Sequence, residues 1–153
     1  MEGIGNLGRS RTENLYTWLF DVVRAFQAHG GRAWLSPDIY DWIKANREHL
    51  PTSWKSTVQA TIYAHSSDAA AYIEGNPDVF RDPGGDRGLW ELRYKGGVPP
   101  NKSSNLEGVV LVEMIDNGTY QSYVDMTPEE RRAFLDTEVA KLRKRYGFGK
   151  GRP

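Results

Sequence analysis

The stretch from Pro51 to Arg93, PTSWKSTVQATIYAHSSDAAAYIEGNPDVFRDPGGDRGLWELR, most constrains how this chain can fold. It opens as a helix, with Thr52 or Ser53 placed to cap the first free backbone N–H groups. Trp54, Val58, Thr61, Ile62 and His65 recur along one edge at helical spacing, which points that edge at a core. The other edge carries Lys55, Ser56, Gln59 and Tyr63. A polar corner, HSSDAAAYIEGNPD, leaves the helix, and Val79-Phe80 is a brief strand. Arg81 to Gly88 is a turn by composition, and Leu89 to Arg93 alternates, with Trp90 and Leu92 on the inward side. A helix followed by a glycine-tipped hairpin is therefore expected.

Two helices precede it. Leu15, Trp18, Leu19, Val22, Val23 and Phe26 keep the three-and-four spacing of an amphipathic helix that Gly30 and Gly31 close. Ser36-Pro37 reads as a cap with proline at the first helical position, starting a second helix at Pro37 with Ile39, Trp42 and Ile43 buried. Pro51 ends it near Leu50, because the residue before a proline is driven out of helical geometry. Three short-linked helices, the third polar on its outer side, make a helix-turn-helix arrangement whose last helix suits the major groove.

Beyond Arg93 the pattern changes. Residues 96–106, with Pro99-Pro100, read as a linker. Val109 to Ile115 reads as an apolar strand, Asn117-Gly118 as a two-residue hairpin turn, and Thr119 to Val124 as the returning strand. Thr127-Pro128-Glu129-Glu130 is a capping box that starts a helix with Phe134, Leu135, Val139, Leu142 and Tyr146 on one stripe. The organisation expected is a domain over 12–95, a linker over 96–106, a β-hairpin plus helix over 107–147, and a basic tail over 148–153.

Composition removes several functional classes. The chain has no cysteine, hence no disulfide, thiolate zinc site or cysteine nucleophile, which fits a reducing cytoplasm. The opening MEGIGNLGRSR lacks the apolar core of a signal peptide, and no apolar run approaches the roughly 20 residues that span a bilayer. A soluble, cytoplasmic protein without membrane partners is expected. Net charge is zero, with eleven cations against twelve carboxylates in residues 1–95 and nine against eight in 96–153, so neither half is basic overall and the strongly basic balance of a non-specific nucleic-acid binder is missing. Only the end, with Lys141, Arg143, Lys144, Arg145, Lys150 and Arg152, is locally basic.

The runs Ser53-Trp54-Lys55-Ser56-Thr57-Val58, His65-Ser66-Ser67-Asp68, Asp78-Val79-Phe80 and Gly88-Leu89-Trp90-Glu91-Leu92-Arg93 resemble the winged-helix modules of prokaryotic restriction-type proteins. The resemblance covers Leu15 to Arg93, about half of the chain, and none of residues 96–153. It implies an α+β fold: a winged helix-turn-helix (three helices plus β-wing), here with a C-terminal β-hairpin–helix extension. Such modules are often fused to HNH or related nucleases, and some recognise modified cytosine. Carried onto this chain, it implies binding of double-stranded DNA through Ser53, Lys55, Ser56, Gln59 and Tyr63 on the third helix. Ser66 at the corner and Arg81 and Arg87 on the wing complete the set. These residue types suit DNA contact, since glutamine can pair with adenine, lysine with guanine or phosphate, and serine with either. The corner residues also suit a purely structural use, with Asp68 and the serines satisfying backbone groups and His65 in the core.

A nuclease site is not expected within this chain. All three histidines, His29, His49 and His65, precede residue 66, and Glu113 and Asp116 have no lysine at the close spacing of metal-dependent nucleases. No cofactor, metal or catalytic group is assigned. A competing expectation is a winged helix used for protein contact or assembly, favoured by net neutrality and five tryptophans. Homodimerisation, or a fused or partner nuclease, fits either expectation.

Overall fold

The structure, a computed structural model, describes residues 16–84 and 86–148. Leu15, Gly85 and the basic residues Lys150 and Arg152 lie outside them. The first helix, α1, covers 16–28 and buries Trp18, Leu19, Val22, Val23 and Phe26, the apolar stripe its spacing predicts. A short strand follows, β1 (Arg32–Trp34), which no pattern in the sequence announces. Three residues carry no detectable period, and β1 is held by pairing with a strand that lies far along the chain.

Helical backbone resumes at Pro37, where the Ser-Pro signal places the second helix, but without the expected serine cap. Leu35–Ile39 forms a wide turn leading into α2 (Tyr40–Asn46). Ser36 sits in extended backbone without a capping hydrogen bond, and Asp38 instead accepts from the Trp34 N–H at 3.4 Å. The third helix, α3 (Trp54–Ala64), buries Val58, Thr61 and Ile62 as expected. Ser53 occupies its N-cap position, but its side chain makes no capping bond. His65, buried at the C-terminal end, bonds the Thr61 carbonyl through Nδ1 at 2.9 Å.

The hairpin strands β2 (Phe80–Arg81) and β3 (Leu89–Leu92) pair antiparallel, with Phe80 opposite Leu92 and Arg81 opposite Glu91. β1 pairs with the other side of β3, also antiparallel, which gives a three-stranded sheet in the order β1-β3-β2. Ala33, Phe80, Trp90 and Leu92 face the helices, and Phe26 meets Phe80 with ring centroids 5.5 Å apart.

The C-terminal region is helical, which overturns the expected hairpin. Residues 109–115 and 119–124, expected as strands, lie in α4 (Ser103–Asn117) and α5 (Tyr120–Val124). A continuous apolar run fits a buried strand and a buried helix equally well by periodicity. Here the run is buried nearly all round: Leu106, Val109, Val110, Leu111, Met114 and Ile115 are all in the core. Asn117-Gly118 ends a helix instead of turning a hairpin, because Gly118, at φ +83°, takes the left-handed C-cap and its N–H returns to the Met114 carbonyl. The predicted capping box is present: Thr127 Oγ1 accepts from Glu130 N at 3.1 Å and Glu130 Oε1 accepts from Thr127 N at 2.9 Å, opening α6 (Pro128–Arg145).

One apolar cluster takes side chains from α1 through α6, so α4 and α6 share a core with the first three helices. The join is also polar. Asp78, only 1% exposed, accepts from Ser67 N at 2.9 Å, Ser67 Oγ at 2.6 Å, Arg93 Nε at 3.1 Å and Asn105 Nδ2 at 2.5 Å. Its own N–H donates to the Ser104 carbonyl at 2.9 Å. This one carboxylate ties the end of α3, the end of β3 and the first turn of α4 together. Gly108 permits the approach, since a Cβ there would stand 2.3 Å from the Asp78 carbonyl oxygen.

Candidate nucleic-acid interface

Burying one edge of α3 leaves its other edge outward. Ser53, Lys55, Ser56 and Ala60 are exposed, and Gln59 and Tyr63 are half-buried. Lys55 and Gln59 form the shoulder nearest α2. Gln59 Nε2 donates to Tyr40 Oη at 2.8 Å, while Lys55 Nζ lies 5.3 Å from the Tyr40 ring centroid and 5.7 Å from that of Trp54. Tyr63, further along, packs on Trp90 of β3 with centroids 5.8 Å apart, so much of its ring serves as a spacer between helix and sheet.

Ser66 leaves the set of outward residues. It is fully buried, and its hydroxyl accepts from the Asp68 N–H at 3.2 Å, closing the turn after α3. Burial without access removes it as a contact for any macromolecule. The other corner residues are structural as well. Ser67 serves Asp78, and Asp68 receives Arg93 Nη2 at 2.8 Å and the Asp82 N–H at 3.0 Å. Asp68 thereby fixes the start of the hairpin tip to the end of α3. Burial lowers the His65 pKa against the opposing hydrogen bond with Thr61, which keeps the ring neutral.

The two hairpin arginines differ. Arg87 is exposed at the tip, and among the described residues no ion-pair partner faces it. Arg81 donates through Nη1 to Glu91 Oε2 at 2.5 Å, and Arg32 Nε reaches Glu91 Oε1 at 2.9 Å from β1. Partial burial of Glu91 acts to raise its pKa, but the two arginine hydrogen bonds prevail and hold the carboxyl below the ordinary range. A row Arg32–Glu91–Arg81 thus crosses all three strands on the outer face, with net charge +1. Trp34, 40% exposed, stands opposite Leu89 on that same face.

The structure therefore groups Ser53, Lys55, Ser56 and Gln59 on one helix edge and fixes Arg81 beside Glu91. Arg87 stands exposed at the tip with no ion-pair partner among the described residues. Sequence reasoning missed Tyr40 and Glu91. The alternation of β3 places Glu91 outward, but its partners come from strands 59 and 10 residues away. Among the described residues no three His, Cys, Asp or Glu side chains gather as a metal site, and no helix is long and apolar enough to cross a membrane. A cleft of about 810 Å³ lies between α1 and the α4–α5 corner, away from α3, and is lined by Tyr16, Phe20 and Tyr120. Two of its polar lining residues have partners: Asp21 pairs with Arg47, and Gln121 bonds Asp125. Comparison with protein families, curated proteins and solved structures gave no match.

Proposed function

We propose that residues 16–93 form a winged helix that binds double-stranded DNA, with α3 in the major groove and the β2–β3 tip against the backbone. The observation that carries this reading is the pairing of an outward, small-and-polar edge on α3 with a hairpin anchored to the end of the same helix through Asp68. The element order α1-β1-α2-α3-β2-β3, with β1 set beside β3, supports it. Ser53 and Ser56 are short enough to let the helix approach closely, and Lys55 and Gln59 supply a cation and an amide for base edges. Arg87 supplies the phosphate contact. A modified cytosine is a candidate feature of the recognised site, in a restriction context where a fused or partner nuclease performs cleavage.

The test is fluorescence anisotropy on matched duplexes carrying cytosine, 5-methylcytosine or 5-hydroxymethylcytosine, at two salt concentrations. Salt-dependent binding with a preference among duplexes supports base reading. No binding at micromolar protein would defeat the proposal. A second reading, contact with another protein through the outer sheet face, is favoured by exposed Trp34 beside Leu89 and by Glu91 offsetting Arg32 and Arg81.

A further inference from the structure

Tyr40 opens α2 and is almost fully buried, yet its hydroxyl and ring face two outward residues of the next helix. The hydroxyl meets Gln59 Nε2 at 2.8 Å. The ring stands edge-on to Trp54, with centroids 5.6 Å apart and planes at 84°, and the Lys55 ammonium sits over both rings. The two longest polar side chains on this shoulder are thus restrained by one residue of the preceding helix. Long flexible side chains lose rotamer freedom when they bind, and a preset pose removes much of that loss.

The Gln59 amide keeps capacity for a base. Glutamine has two N–H donors and a carbonyl acceptor, and Tyr40 engages one N–H. The remaining N–H and the carbonyl are the pair that bonds N7 and N6 of adenine in the major groove. We infer that Tyr40 is a positioning residue for DNA reading, holding Gln59 ready for an adenine edge while itself touching no base. The inference rests on the DNA-binding reading of α3.

Tyr40→Phe separates the roles, because it keeps the ring against Trp54 and Lys55 and deletes only the hydroxyl. Selection of duplexes from a randomised pool with the full chain should enrich adenine at one position. Tyr40→Phe should reduce that preference about tenfold, within the range of a bidentate base contact, while leaving the salt dependence and thermal midpoint unchanged. Gln59→Ala should abolish the preference, and adding Tyr40→Phe to it should cost nothing more. An adenine preference untouched by Tyr40→Phe, or an equal loss on every sequence, overturns the inference and leaves DNA binding intact. Absence of any duplex binding by the wild-type chain defeats the DNA reading and the inference together. A readout without DNA is the Gln59 side-chain amide by NMR, where slowed hydrogen exchange should vanish in Tyr40→Phe; unprotected Gln59 in the wild type also overturns the assignment.

Discussion

Arg93 Nε lies 3.1 Å from Asp78 Oδ1, and this buried pair joins the end of the sheet to the loop that meets α4. Asp78→Ala would leave Arg93, Asn105 and Ser67 without their shared acceptor. Breaking a buried pair from one side costs about 3–5 kcal/mol, so urea denaturation should show that loss. Asp78→Asn should cost less, since its amide oxygen still accepts from Ser67. A loss below about 1 kcal/mol for the alanine variant would deny Asp78 its joining role.

Gly108→Ala tests the same junction by volume. Alanine favours a helix over glycine by about 1 kcal/mol, but here its Cβ would stand 2.3 Å from the Asp78 carbonyl oxygen. Overpacking of this kind costs about 1–3 kcal/mol, and the atom it meets is backbone. Thermal unfolding should place Gly108→Ala below wild type. Gly97→Ala, where a Cβ meets nothing within 4 Å, should stay within about 0.5 kcal/mol.

His65 predicts a pH dependence. Its folded pKa lies below the ordinary 6.5 because burial disfavours the cation. Well above pH 6.5 the ring is neutral in both states and contributes no slope. As pH falls below 6.5 the unfolded chain takes up the proton first, so stability declines by up to about 1.4 kcal/mol per pH unit until the folded pKa is reached. His65→Gln should flatten the fall in the window just below pH 6.5 in chemical denaturation. A wild-type curve no steeper than the variant's in that window would contradict the buried neutral ring.

Glu91 is expected to restrain duplex affinity. It occupies Arg32 and Arg81 on the outer face, and Glu91→Gln removes the negative charge while keeping an acceptor. If the wing lies on phosphates, the variant should bind duplex more tightly, and its log–log salt slope should steepen by about 0.9 for each phosphate newly neutralised. Unchanged affinity and slope would place the arginine row away from DNA.

Arg87→Ala and Gln59→Ala should fail differently. Loss of Arg87 should weaken binding on all duplexes and reduce the salt slope by about 0.9. Loss of Gln59 should change the preferred sequence and leave the slope alone. Equal effects of Gln59→Ala on every probe would remove it as a base reader.

Elements with a clear period or a local cap were legible in the residue order. The stripes of α1 and α3, the Thr127–Glu130 capping box and the inward Trp90 and Leu92 of β3 all depend on neighbours within about one turn or one strand. The exposed edge of α3 followed from the same reasoning, because burying one side of a helix leaves the other outward.

What lacked a local signal came from tertiary structure. β1 exists through its pairing with residues 89–91, and Arg81 is occupied because Glu91 faces it across the hairpin. Ser66 is polar by type and so reads as a surface residue, whereas the folded chain buries it fully and its hydroxyl closes the turn after α3. Residues 109–115 became a helix because a continuous apolar run is locally ambiguous, and a helix pairs its interior backbone groups within itself while the core encloses it nearly all round. By itself the sequence determined which segments carry an apolar face and where a capping signal starts a helix. The fold alone decided which polar groups stayed free to act, since each such group is engaged or left open by what the tertiary structure places beside it.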